Sequence, residues 1–153
     1  MNERHLIALV DGNEDDLFLM KRAFRAVGVA NPIITFSNFE RYLAYLRGSG
    51  VYADREKHPL LKILVLDLTA RPHDWLELLD ETRKVPGLEH VPVVAFTSSE
   101  EGPQVQKAYD RGANAVFTKG NELNSMAQTI RDLEFLEDIL SPKVEGVRSM
   151  KAA

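Results

Sequence analysis

The carboxylates of this chain are unevenly spread, and their positions suggest chemistry. The segment Asp11-Gly12-Asn13-Glu14-Asp15-Asp16 puts four acids directly behind the apolar run Leu6–Val10, and one acid, Asp67, closes a second run, Lys62–Asp67. A third run ends on Thr97-Ser98, and a fourth is followed by Thr118-Lys119. A phosphate cradle in the first position would call for glycines and hydroxyls, and a dinucleotide site for GxGxxG. An acidic loop repels both. It suits a hard cation such as Mg²⁺, which prefers carboxylate and carbonyl oxygens and keeps several waters. A carboxylate flanked by a hydroxyl and an ammonium also makes a phosphoryl-transfer site, in which the cation and Lys119 neutralise charge while Thr97 donates a hydrogen bond to a phosphoryl oxygen.

These residues can meet only if the elements carrying them converge. Short apolar runs at Leu6–Val10, Pro32–Phe36, Lys62–Asp67, Pro92–Thr97 and Ala113–Phe117 have the length of buried strands. Between them lie stretches with helical spacing. Leu17, Met20, Phe24 and Val27 predict a helix over Asp15–Val27 that Gly28 stops. Phe39, Tyr42, Leu43 and Leu46 mark a second helix, ended by Gly48, and Ser49–Pro59 reads as a polar surface loop. Trp75, Leu78, Leu79 and Thr82 mark a third helix. Ser98 with Glu101 forms a capping box for a fourth that ends at Gly112. Leu123, Met126, Ile130 and Leu133 mark a fifth. Five strands alternating with five helices predict an α/β fold, (βα)5, as a doubly wound three-layer sandwich around a five-stranded parallel sheet. Its ligand site lies beyond the carboxyl ends of the strands, where the acids, Thr97 and Lys119 fall.

Composition narrows the field. The 153 residues, 44% hydrophobic and 27% charged, describe one domain over 1–140 with a loose tail over 141–153, rich in Pro, Gly and scattered charge. With 19 basic against 23 acidic residues the net charge is −4, which argues against nucleic acid as a partner. The absence of cysteine removes disulfides, thiolate metal sites and thiol nucleophiles. No apolar run approaches the roughly 20 residues that span a membrane, and no signal-peptide pattern opens the sequence, so a cytoplasmic protein is expected. The histidines, His5, His58, His73 and His90, lack metal-ligand spacing and read as ordinary surface or loop residues.

The segments IALVDGNEDDLFLMKRAF, YLRGSGVYADREKHPLLKILVLDL, DWLELLDETRK, VPVVAFTSSEE and GANAVFTKG, in this order and spacing, resemble response-regulator receiver domains over roughly residues 5–140. The likeness is to the CheY-like, single-domain group met with phytochrome-type sensor kinases. It implies the flavodoxin-like strand order 2-1-3-4-5. It also implies a two-component or phosphorelay signalling function without enzymatic activity, in which Asp67 accepts a phosphoryl group from a histidine kinase or phosphotransfer protein. Thr97 and Lys119 then assist the transfer, and Asp11, Asp67 and the main-chain carbonyl of Thr69 hold Mg²⁺. Output is expected through protein contacts of the fourth helix, fifth strand and fifth helix, within a homodimer or toward a kinase or target. Four departures accompany the match. Gly12 stands where an acid normally touches the metal, Gly120 where a proline follows the lysine, Val116 where an aromatic ring changes rotamer, and Trp75 where glycine is usual. They leave open an alternative, a degenerate receiver that serves as a phosphorylation-independent interaction module. A flavodoxin-like enzyme is disfavoured by the acidic first loop.

Overall fold

The computed structural model describes residues 6–26, 28–68, 72–97 and 102–118. Along the chain run β1 (Ile7–Val10), α1 (Glu14–Ala26), β2 (Ile33–Phe36), α2 (Phe39–Arg47), a 3₁₀ turn (Gly50–Tyr52), β3 (Ile63–Asp67), α3 (Pro72–Lys84), β4 (Val93–Thr97), α4 (Gly102–Asp110) and β5 (Ala115–Thr118). All strand pairs are parallel, in the order β2-β1-β3-β4-β5. This is the doubly wound α/β fold expected from the alternation. The fifth helix and the tail from 141 lie outside the described residues.

The central strands β1, β3 and β4 are buried at every position because both faces of the sheet are covered. Ala8, Val10, Leu64, Leu66, Val93 and Ala95 face a core built with Tyr42, Tyr45 and Leu46 of α2, Trp75, Leu78 and Leu79 of α3, and Ala108 of α4. The alternate residues Ile7, Leu9, Ile63, Val65, Val94 and Phe96 face Leu17, Met20, Ala23 and Phe24 of α1. Period-2 alternation is therefore present, but as a choice between two dry faces rather than between core and water.

Local chemistry sets the element boundaries. Asn13 caps α1, its Oδ1 accepting from the Asp16 N–H at 3.0 Å, and the helix starts at Glu14, one residue earlier than the periodicity suggests. Asn38 does the same for α2 through the Arg41 N–H, and Gly48, at φ 68°, closes that helix in the left-handed region. The last strand is shifted to Ala115–Thr118 from the expected Ala113–Phe117. Asn114 occupies the entry, its N–H donating to the Val93 carbonyl at 2.7 Å and its Oδ1 accepting from the Val93 N–H at 2.8 Å. The Ser98 capping box lies outside the described residues.

The segment 49–59 is more ordered than a polar loop. Tyr52 packs edge-on against Tyr45 and His58, Tyr45 Oη donates to the Pro59 carbonyl at 2.6 Å, and Arg55 lies over the Tyr45 ring. Arg55 also donates to the carbonyls of Leu46 at 2.9 Å and His58 at 3.2 Å. Arg25 holds the α1–β2 turn through the carbonyls of Val29 and Asn31, and Arg83 ties α3 to the carbonyls of Val91 at 2.6 Å and Gly112 at 3.1 Å. All three guanidinium clamps act on helix-to-strand connections, at the amino end of the sheet. The carboxyl end is left for the acids.

Two buried phenols give this core a pH signature. Thr82 Oγ1 donates its single proton to the Leu78 carbonyl, so in the 2.8 Å contact with Tyr42 the phenol is the donor. Burial raises the Tyr42 phenol well above its ordinary range and pushes Tyr45 up to about 12, although Arg55 beside it acts in the opposite sense. Neutral phenols are thus favoured in the folded state, and their contribution is complete below about pH 10 and lost as pH rises through the folded-state values. Urea unfolding is expected to show stability falling from about pH 10 upward, less steeply in Tyr45→Phe. An identical alkaline slope in that variant would contradict the assignment.

Candidate functional site

The sheet register assembles the site. Ile7 is opposite Ile63 and Val10 opposite Leu66, so the next residues, Asp11 and Asp67, fall at neighbouring strand ends. The Asp11 N–H extends the ladder by donating to the Phe36 carbonyl at 3.1 Å. Ile7, Leu9, Ile63 and Val65 belong to the α1-facing core, and the same alternation assigns Asp11 and Asp67 to the α1 side. Asp67 is paired with Phe96, so Thr97 lies one residue further along β4, opposite Thr118. The structure therefore brings Asp11, Asp67 and Thr97 to the ends of three adjacent strands. Thr69 and Lys119 lie outside the described residues.

Burial makes these polar groups costly unless they are used. Asp11 is 2% exposed, Asp67 9% and Thr97 3%. Asp11 Oδ1 accepts the Asn13 N–H at 2.9 Å, a local turn that fixes the carboxylate as the chain leaves β1. Gly12 is exposed and contributes no side chain to the gap.

Of the remaining acids of the first loop, Glu14 is engaged on the β2 side. Glu14 accepts a hydrogen bond from Ser37 Oγ at 3.2 Å and lines a groove of about 360 Å³ with Lys21, Ser37 and Arg41. That groove lies toward β2, which flanks β1 on the side away from β3 and Asp67. Asp15 is exposed, and the Asp16 main chain is bound to the Asn13 cap. These residues act as first-turn acids favourable to the helix dipole. Among the described residues no group of three or more His, Asp or Glu is placed to hold a metal ion. The donor set that fits a cation is the Asp11–Asp67 pair, two hard carboxylates at neighbouring strand ends, with water completing the shell of a Mg²⁺-like ion.

One residue at the site carried no sequence signal. Gln104, in the first turn of α4, donates from Nε2 to the Leu68 carbonyl at 2.6 Å, directly behind Asp67. A single amide in an amphipathic helix has no spacing that would reveal this. Trp75, near the start of α3, is 3% exposed, and its indole N–H has no acceptor among the described residues. Its ring instead covers apolar surface in the core shared by Leu66 and Leu68. His58 packs against Tyr52, as an ordinary loop histidine would.

Comparison with known proteins supplies the class. No family model matches the chain. Over 143 residues it is 26% identical to the response regulator Rcp1 of Synechocystis sp., covering 92% of this chain and 95% of that protein. The crystal structure of the Mn²⁺-bound form of Rcp1 shares the fold, with a TM-score of 0.73 at 24% identity over 92% of this chain and 96% of that one. The phosphorylated cyanobacterial phytochrome response regulator RcpA superposes with a TM-score of 0.77 at 27% identity, covering 93% of this chain and 98% of its own. The bacteriophytochrome response regulator AtBRR is 32% identical, with a TM-score of 0.66 over 87% of this chain and 94% of its own. Sheet order, acid placement and these likenesses agree: the chain belongs to the response-regulator receiver family. It is a two-component response regulator, and among the described residues no helix is long and apolar enough to cross a membrane.

The glycine at position 12 makes a measurable statement about the metal. Gly12→Asp adds a carboxylate next to Asp11 and is expected to tighten Mg²⁺ or Mn²⁺ binding by about tenfold, because affinity at such sites follows ligand charge count. Isothermal titration of the variant against the parent chain checks this, and unchanged affinity would place Gly12 away from the cation.

Proposed function

We propose that Asp67 accepts a phosphoryl group from a phosphohistidine of a sensor kinase or phosphotransfer protein, and that the resulting acyl phosphate controls protein contacts of this chain. In the step, a carboxylate oxygen of Asp67 bonds to phosphorus while the phosphorus–nitrogen bond breaks and the imidazole keeps the electron pair. The observation that carries the reading is the register that sets Asp11 and Asp67, both buried, at neighbouring strand ends with Thr97 on the next strand. Thr97 donates from its hydroxyl to a phosphoryl oxygen, and Lys119 supplies positive charge. Asp11, Asp67 and the Thr69 carbonyl would hold Mg²⁺, which offsets negative charge on the transferring group.

The protein acts as a cytoplasmic signalling module and not as an enzyme. Its output passes through the α4–β5 face, where Tyr109 is 46% exposed, to a second copy or to a target protein. The likeness to RcpA and AtBRR supports a phytochrome-type kinase as the donor. A second reading, a receiver whose contacts do not depend on phosphorylation, draws on one observation: Gly12 follows Asp11 in the loop after β1, and Glu14 is engaged by Ser37 on the β2 side.

Incubation with acetyl phosphate and Mg²⁺ is expected to add one phosphoryl group by intact-mass spectrometry in the parent chain and none in Asp67→Asn. If the parent shows no adduct across magnesium concentrations, the second reading replaces the first.

A further inference from the structure

Leu68, the residue that follows Asp67, is held by its backbone from two sides. The Leu68 N–H donates to the Phe96 carbonyl at 2.8 Å, continuing the β3–β4 ladder one residue beyond the strand. The Leu68 carbonyl accepts from Gln104 Nε2 at 2.6 Å, across 36 residues of sequence. Leu68 itself is fully buried, so its carbonyl, deprived of water, depends on that side chain. The direction in which the chain leaves Asp67 is thus set by an amide on another element.

The same helix is attached to the sheet at its other end. Tyr109, five residues beyond Gln104 on α4, accepts the Val116 N–H on its phenol oxygen at 3.2 Å. Val116 belongs to β5, an edge strand of the sheet. Arg111, just past α4, pairs with Asp80 of α3 at 2.9 Å. Helix α4 is therefore a short rod with one polar contact on the backbone of Leu68, the residue after the proposed phosphoacceptor, and another on the edge strand.

We infer that Gln104 is a positioning residue that couples the backbone at Asp67 to α4, and that α4 carries this coupling through Tyr109 to the β5 edge. The inference deepens the proposed function, since phosphorylation is the event that would load the coupling. The physical linkage, however, exists in the resting chain. A change in charge on Asp67 displaces the 67–68 backbone, the short hydrogen bond makes Gln104 follow, and the helix shifts Tyr109 against Val116. The site thereby reaches β5 without an aromatic ring at position 116.

A cycle on the resting protein tests the linkage independently of phosphorylation. Tyr109→Phe is expected to shift the Leu68 amide in ¹H–¹⁵N spectra, and this shift is expected to disappear when Gln104→Met is also present. A Leu68 amide that ignores Tyr109→Phe, or that responds equally with and without Gln104, overturns the coupling. Gln104→Lys, which keeps a donor of similar reach, is expected to restore the response and separates loss of the hydrogen bond from general damage to the fold. The second arm adds acetyl phosphate and Mg²⁺. Phosphorylation is expected to move the α4 and Val116 amides in the parent chain. In Gln104→Met these movements are expected to fall at least twofold although Asp67 still takes up the phosphoryl group. Undiminished movements in that variant also overturn the inference. Absence of any adduct on the parent chain counts against Asp67 as acceptor, whereas the resting-state cycle still decides the role of Gln104.

Discussion

Everything at the carboxyl end of this sheet depends on the in-register parallel pairing of β1 with β3. Four rungs, from Ile7 opposite Ile63 to Val10 opposite Leu66, set two carboxylates at neighbouring strand ends. A slip of one residue would exchange the two dry faces, sending Ile63 and Val65 toward α2 and α3 and Leu64 and Leu66 toward α1. The side chains on the two faces differ in size and packing, with two tyrosines and a tryptophan on one and Met20 and Phe24 on the other. Core complementarity thus fixes the register, and the register fixes the site.

The two ends of the sheet carry different burdens. At the amino end, the carbonyls of the helix-to-strand turns are taken up by Arg25, Arg55 and Arg83, each a guanidinium that satisfies two or more carbonyl acceptors. Burial pushes the Arg83 guanidinium down from its ordinary value, with the Tyr42 phenol acting in the opposite sense. At the carboxyl end the described contacts include the turn of Asp11 with Asn13, the Ser37–Glu14 hydrogen bond and the tether from Gln104 to Leu68.

Much of this was legible in the sequence because it follows from periodicity. Five apolar runs gave five strands, and the stripe Trp75, Leu78, Leu79, Thr82 is buried as a unit. Asp11, Asp67 and Thr97 were found because an acid or hydroxyl at the end of an apolar run is conspicuous. What escaped depends on contacts between elements. The start of β5 moved because the Asn114 side chain mimics a strand partner, which composition does not announce. The loop at 49–59 looked polar, yet its order comes from Tyr52, Arg55 and Tyr45 meeting across the end of α2. Tyr45 itself fell outside the expected helical stripe but is fully buried, its hydroxyl satisfied by a carbonyl that only the fold brings near. Gln104 is the same case at the site: its role depends on where Leu68 lies, 36 residues away.

The glycine at position 12 acquires a meaning from charge balance. Asp11 and Asp67 are nearly dry, and a further carboxylate in such a setting adds desolvation cost and like-charge repulsion that the glycine avoids. On the proposed reading, forming the acyl phosphate removes the carboxylate's own charge and adds a phosphate of about −1.5 to −2, a net change of about −0.5 to −1. That change would act on the backbone that carries Asp67. Leu68 is bound on one side to the rigid β3–β4 ladder and on the other to a side chain. The side chain is the softer of the two attachments, so a displacement is passed toward α4 rather than into the sheet.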